Sequence, residues 1–185
     1  MLRTAALAFL AAAASSCGWH AGLLAPTHLV GVTDDATIGV EIFGNETPEP
    51  GLEADLAPYL SGAVVDLVAM DYESAERADL VVKGTLTRYQ RRNGIRSQDN
   101  QLLEGSVRID VTATLILRST GETLATANQG LWADWATGTP GLSAPGLGEF
   151  QARERLLQNL ADRLVLDLFA QTVETSIALI NFSFS

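Results

Sequence analysis

The clearest alternation in the chain is "GSVRIDVTATLILRS" (105–119). Val107, Ile109, Val111, Ala113, Leu115 and Leu117 share one parity; Arg108, Asp110, Thr112, Thr114, Ile116 and Arg118 share the other. Neighbouring strand side chains point to opposite faces, so the pattern predicts a strand with one face on a core and the other toward water or a partner. "STGET" (119–123) predicts a short turn, and "TLATANQGLWADWA" the returning antiparallel strand. Upstream, "ATIGVEIF" (36–43) is apolar and β-branched and runs into the breakers "GNETPEPG", which predicts a strand closed by a turn. "ADLVVKGTLTRY" predicts a further strand from near Ala78, ending at Arg88 and Tyr89, with Arg91, Arg92 and Arg96 in the loop beyond.

Two segments carry the helical period. In "GLEADLAPYLSGAVVDLVA" (51–69), Leu52, Leu56, Tyr59 or Leu60, and Val64 recur every three to four residues. Pro50 precedes it, and Glu53 and Asp55 lie in the first turn, where the helix dipole favours acids. Pro58 and Gly62 predict a kink or break. After a Gly/Pro-rich loop (137–149), "EFQARERLLQNLADRLVLDLFAQTV" (149–173) predicts an amphipathic helix with Phe150, Leu157, Leu160, Ala161, Leu164 and Leu168 on its apolar side. The tail, 174–185, reads either as a last edge strand or as a loose apolar end. Strand, helix, three strands, helix predicts an α+β two-layer sandwich of about four mostly antiparallel strands, with two helices packed on one face. One domain over 36–173 accounts for the pattern.

The N-terminus follows another logic. Arg3 precedes a compact apolar run, Ala5 to Ala14, which is too short to span a bilayer and matches an export signal. Ser15 and Ser16 lead to Cys17, the only cysteine. This arrangement resembles a bacterial lipobox. The resemblance implies that residues 1–16 are a signal peptide cut before Cys17, that the thiol carries a diacylglycerol and that the new amine is acylated. Several acyl chains give stable attachment where one is marginal. Residues 17–35 then form a lipidated tether.

Composition narrows the chemistry. Hydrophobic residues make up 47% and charged residues 18%, as in globular proteins. The net charge of -10 argues against a nucleic-acid partner. There is no G-x-S-x-G elbow, H-E-x-x-H or C-x-x-C, and His20 and His28 both lie in the tether. No enzyme activity, metal or cofactor is therefore expected. Between Asp34 and Asp79 acids outnumber bases twelve to one, without calcium-loop spacing, which reads as a solvated acidic face. Against this background Lys83, Arg88, Arg91, Arg92, Arg96 and Arg108 hold half of the 12 basic residues. Arginine forks match phosphate bidentately. The cluster reads as a solvated loop, as a site for a phosphorylated lipid head, or as a charge-complementary protein interface. Trp132 and Trp135, three apart, do not share a strand face unless a bulge intervenes. They read as core, or as an aromatic contact for a partner or an acyl chain.

The stretch "IGVEIFGNETPEPGLEADL" (38–56) resembles the LPS-assembly lipoprotein family, LptE. Ile38, Val40, Phe43, Asn45, Thr47, Glu49, Pro50, Gly51, Leu52 and Glu53 hold the places of that family's strand, turn and helix start. "ADLVVKGTLTRY" (78–89) and "STGETL" (119–124) resemble its second strand and its hairpin. The resemblance implies a two-layer α/β fold lodged in a β-barrel translocon of the LptD kind. It also implies an outer-membrane, periplasm-facing location and direct binding of lipopolysaccharide or a similar phosphorylated lipid. Lys83, Arg88, Arg91, Arg92 and Arg96 are the lipid-binding candidates from the charge cluster, and Cys17 is the anchor. The alternative readings are a lipoprotein that regulates cell-wall synthesis or secretion by protein contact, and an envelope enzyme.

Overall fold

The structure is a computed structural model and describes residues 32–33, 35–94, 96, 98, 104–136 and 147–183, with side chains of the last helix described to 172. The segment read as a signal peptide (1–16), Cys17, His20, His28, most of the expected tether and the loop 137–146 lie outside the described residues. The fold is an α+β two-layer sandwich, with a mixed sheet and two helices. Its elements are β1 (Thr37–Val40), β2 (Gly44–Asn45), α1 (Leu52–Leu67), β3 (Asp71–Tyr72), β4 (Leu80–Asn93), β5 (Glu104–Leu117), β6 (Glu122–Ala136) and α2 (Leu147–Ser183). The sheet order is β3-β1-β4-β5-β6, with β2 also paired to β4.

β4, β5 and β6 form an antiparallel meander, whereas β1 is parallel to β3 and β4, and β2 is parallel to β4. The sheet is mostly antiparallel, as expected; the short strands β2 and β3 add to the four strands read from the sequence, and the pairing at β1, β2 and β3 is parallel. Parallel neighbours need a crossover, and α1 supplies it between β1 and β3. The expected strand 36–43 is split. Ile42 is 73% exposed while Phe43 turns into the core, so the chain leaves β1 and re-pairs as β2. The ring of Phe43 lies over Gly84 of β4, where a Cβ would come within 2.3 Å of it.

The turn after β2 is built from the motif residues. The Asn45 side-chain amide donates to the Glu49 carbonyl (2.8 Å) and to Glu53 Oε2 (2.6 Å). Its Oδ1 accepts from the Thr47 backbone (2.9 Å) and hydroxyl (2.7 Å). Gly51 then takes φ 81°, a left-handed conformation that side chains disfavour, and starts α1. The N-x-T-x-E-P-G-L-E stretch (45–53) is therefore a strand-to-helix joint.

α1 runs unbroken through Pro58 and Gly62, against the expected kink or break. Pro58 removes one hydrogen bond, to the carbonyl of Ala54. Ala54 and Pro58 are both exposed, so that carbonyl is open to solvent. Leu52, Leu56, Leu60, Ala63 and Val64 form its buried face. α2 buries Ala152, Leu156, Leu157, Leu160, Ala161, Leu164, Val165, Leu168 and Phe169 against β5, β6 and α1. Phe150 departs from the expected stripe and is 48% exposed, with the Arg153 guanidinium 5.8 Å from its ring. The helix does not stop at 173 but continues to Ser183, replacing the strand or loose end read for the tail. Val173, Ile177 and Ile180 keep the spacing of four and three that a helix requires. Among the described residues, no helix is long and apolar enough to cross a membrane.

Candidate functional site

The register settles which side chains share a face. The odd positions of β5 from Val107 to Leu117 are buried under the helices, as the alternation implies. Their partners on β4 are Leu80, Val82, Gly84, Leu86, Tyr89 and Arg91. The parity of β4 changes because Thr87 is an extra residue between Leu86, opposite Val111, and Arg88, opposite Asp110. Lys83, Arg88, Gln90 and Arg92 thus fall on the open face, with Arg108, Asp110 and Thr112 of β5. Arg91 falls on the helix face. β4 also runs on to Asn93, so Arg91 and Arg92 are strand residues and not the loop residues expected. Their pairing with Val107 and Ser106 extends the strand.

On the open face Arg88 and Arg108 share one acid. Arg88 lies 3.4 Å from Asp110 Oδ2, and Arg108 Nε donates to Oδ1 at 2.6 Å. The Arg108 guanidinium also stacks 5.6 Å from the Trp132 ring centre. Trp132 stands opposite Arg108 on β6 and is 42% exposed. Gly130, next along β6 on this face, leaves room for the group: a Cβ there would come within 2.5 Å of the Asp110 carboxylate. Thr112 and Asn128 continue the polar surface with a 2.8 Å hydrogen bond. Two arginines against one aspartate leave this patch one positive charge in excess, in a chain of net charge -10.

Lys83 pairs with Glu41 at 2.9 Å and lines a depression of about 390 Å³ with Val81, Ile116 and Arg118. Arg92 lines a second, of about 680 Å³, at the far end of the sheet with Gly94, Glu104, Ser106, Asp134 and Trp135. Arg96 is exposed. Trp135 pairs with Gly105 and lies over it on the helix side, while Trp132 faces outward. Trp135 thus packs against the core, as one of the two readings has it, and Trp132 is exposed on the open face.

Arg91 is engaged elsewhere. It donates to Glu149 (2.5 Å) and lies 3.4 Å from Glu49, and Arg153 bridges Glu49 (3.2 Å) and Asp55 (3.3 Å). Tyr89 donates its hydroxyl to Glu149 at 3.2 Å. This network ties β4, the joint before α1, α1 and the start of α2. Burial pushes the Tyr89 phenol above its ordinary value; the Arg91 guanidinium opposes the rise, and the charges of Glu149 and Glu49 add to it. Among the described residues, no group of three His, Cys, Asp or Glu side chains is placed to hold a metal ion.

Sequence reasoning found the basic residues but missed the Arg88–Asp110–Arg108–Trp132 constellation. Its pairing depends on the extra residue at Thr87 and on a register shift at Leu115/Ile116, and neither leaves a composition signal.

No family model matches the sequence, and no curated protein matches it. Solved structures share its fold. Protein XCC0632 from Xanthomonas campestris, of family DUF330, superposes with a TM-score of 0.53 at 14% identity, over 76% of this chain and 88% of the other. Rare lipoprotein B from Shewanella oneidensis superposes with a TM-score of 0.50 at 10% identity, over 75% of this chain and 98% of the other. The chain is an α+β two-layer sandwich of the kind those two proteins adopt.

Proposed function

We propose that the protein is a lipid-anchored assembly factor of the outer membrane. In this reading acylated Cys17 holds it on the periplasmic side. Its domain contacts a β-barrel partner of the LptD kind and assists the transport of lipopolysaccharide, or of a similar phosphorylated lipid, to the surface. The observation that carries the reading is the open sheet face. It presents Arg108 stacked on an exposed tryptophan, Arg88 sharing the Arg108 aspartate, and Arg92 and Lys83 toward the two ends of the same face, on an otherwise acidic chain, while the opposite face is closed by both helices. Guanidinium groups beside an aromatic surface suit a phosphorylated amphiphile, one part for the phosphates and one for the apolar portion. The export signal ending at Cys17, the motif residues Asn45 to Glu53 and the fold shared with rare lipoprotein B support the same reading.

In this reading the lipid contacts come from the candidates on the open face, Lys83, Arg88 and Arg92, with Arg96 a further candidate, while Arg91 lies on the helix side in the ion-pair network. The protein acts by binding, with no catalytic step. Affinity purification from detergent-extracted membranes, followed by mass spectrometry of proteins and lipids, tests the reading. A β-barrel at fixed stoichiometry with bound lipopolysaccharide is expected. Recovery of the protein without any barrel would end it. Cys17→Ser should release the protein from the membrane fraction, and a variant that stays membrane-bound would remove the anchor.

A further inference from the structure

β6 ends the sheet, and among the described residues no strand pairs with its outer edge. Alternate residues of an antiparallel strand direct their backbone groups away from the paired neighbour. Two contacts identify which residues do so here. The Thr126 N–H donates to the Gln171 side chain (3.4 Å), and Arg155 donates to the Asp134 carbonyl (3.5 Å). Both partners come from α2, so the helix caps the edge near each end. Asn128, Gly130 and Trp132 share the parity of Thr126 and Asp134 and lie between the caps. Native sheets guard such edges with charge, proline, bulges or a covering segment. From Ala125 to Ala133 the strand has no charged residue and no proline, and its register with β5 is regular. Between the two caps, a neutral, proline-free edge is a template for another strand.

We propose that the occupant is a second copy of this chain, paired antiparallel through β6 about a two-fold axis at Gly130. Self-pairing fits the sequence of the edge. It sets Asn128 opposite Trp132 of the second copy and Thr126 opposite its Asp134, so no like charges face each other across the strands. A closed two-fold contact also uses the edge completely and leaves none for a third copy. The outward backbone groups of residues 128, 130 and 132 would make about six hydrogen bonds across the axis. The self-association does not depend on the lipid reading.

The test is sedimentation equilibrium of the full chain in density-matched detergent, with hydrogen exchange across the dissociation range. A dimer is expected, with the amides of Asn128, Gly130 and Trp132 exchanging at least about tenfold more slowly in the dimer than in the monomer. Asn128→Pro removes an outward N–H and leaves the β5 ladder intact, and Trp132→Lys adds a guarding charge. Each should weaken the dimer at least about tenfold. If Asn128→Pro does not fold, Trp132→Lys and the exchange data decide. A monomer up to about 1 mM, a dimer with unprotected β6 amides, or a dimer indifferent to both folded variants overturns the proposal.

Discussion

Asn45 shows how a single side chain can carry a motif. Its amide and carbonyl bind Glu49, Glu53 and Thr47 across the turn from β2 into α1. Asn45→Ala leaves those groups without partners in a half-buried site, and about 1–3 kcal/mol of stability should be lost, measured by denaturant unfolding. Tyr89 offers a test with a defined sign. Its phenol is raised above 10.0 in the fold, so the folded chain holds that proton more tightly than the unfolded chain. The associated stability is fully present below pH 10 and is lost as pH rises through the folded value. Phenolate absorbance should show one late-titrating tyrosine, and Tyr89→Phe should abolish that component. The motif residues were legible in the sequence as a pattern; their joint-forming role was not, because the bonds connect side chains to a turn whose shape the pattern does not specify.

At the scale of elements, the alternation of β5 placed its core positions residue by residue, while the apolar period of α2 placed the helix and part of its buried face, missing Ala152, Leu156, Val165 and Phe169. Those signals are strong because burial acts on every second strand position and every third or fourth helix position. β2 and β3 left no such trace, since two residues cannot show a period. The bulge at Thr87 was equally silent, yet it decides which arginines meet solvent. Deleting Thr87 should remove the extra residue while keeping Arg88 outside and Tyr89 inside, at a cost under about 2 kcal/mol. Deleting Gln90, in the regular ladder, should turn Arg91 and Arg92 to the wrong faces and prevent folding. Circular dichroism and thermal melting of the pair measure the difference. Pro58→Ala restores the N–H that can reach the Ala54 carbonyl and should stabilise α1 by up to about 3 kcal/mol.

As a whole, the molecule has a closed side and an open side. Both helices cover one face of the sheet around a continuous core of aliphatic side chains. The other face is polar, with its positive groups held close to aspartate and tryptophan. The basic cluster of the sequence is thus two structures, an internal strut at Arg91 and an outward surface at Lys83, Arg88 and Arg92. The most direct measurement compares lipopolysaccharide binding by Arg88→Ser/Arg92→Ser with binding by Arg91→Ser, titrated over salt. The double variant should stay folded and bind at least about tenfold more weakly, with a shallower salt dependence. Arg91→Ser should instead lower the melting temperature and leave the affinity of the folded fraction unchanged. Equal binding by the folded double variant and the unaltered protein would contradict lipid binding by the open face.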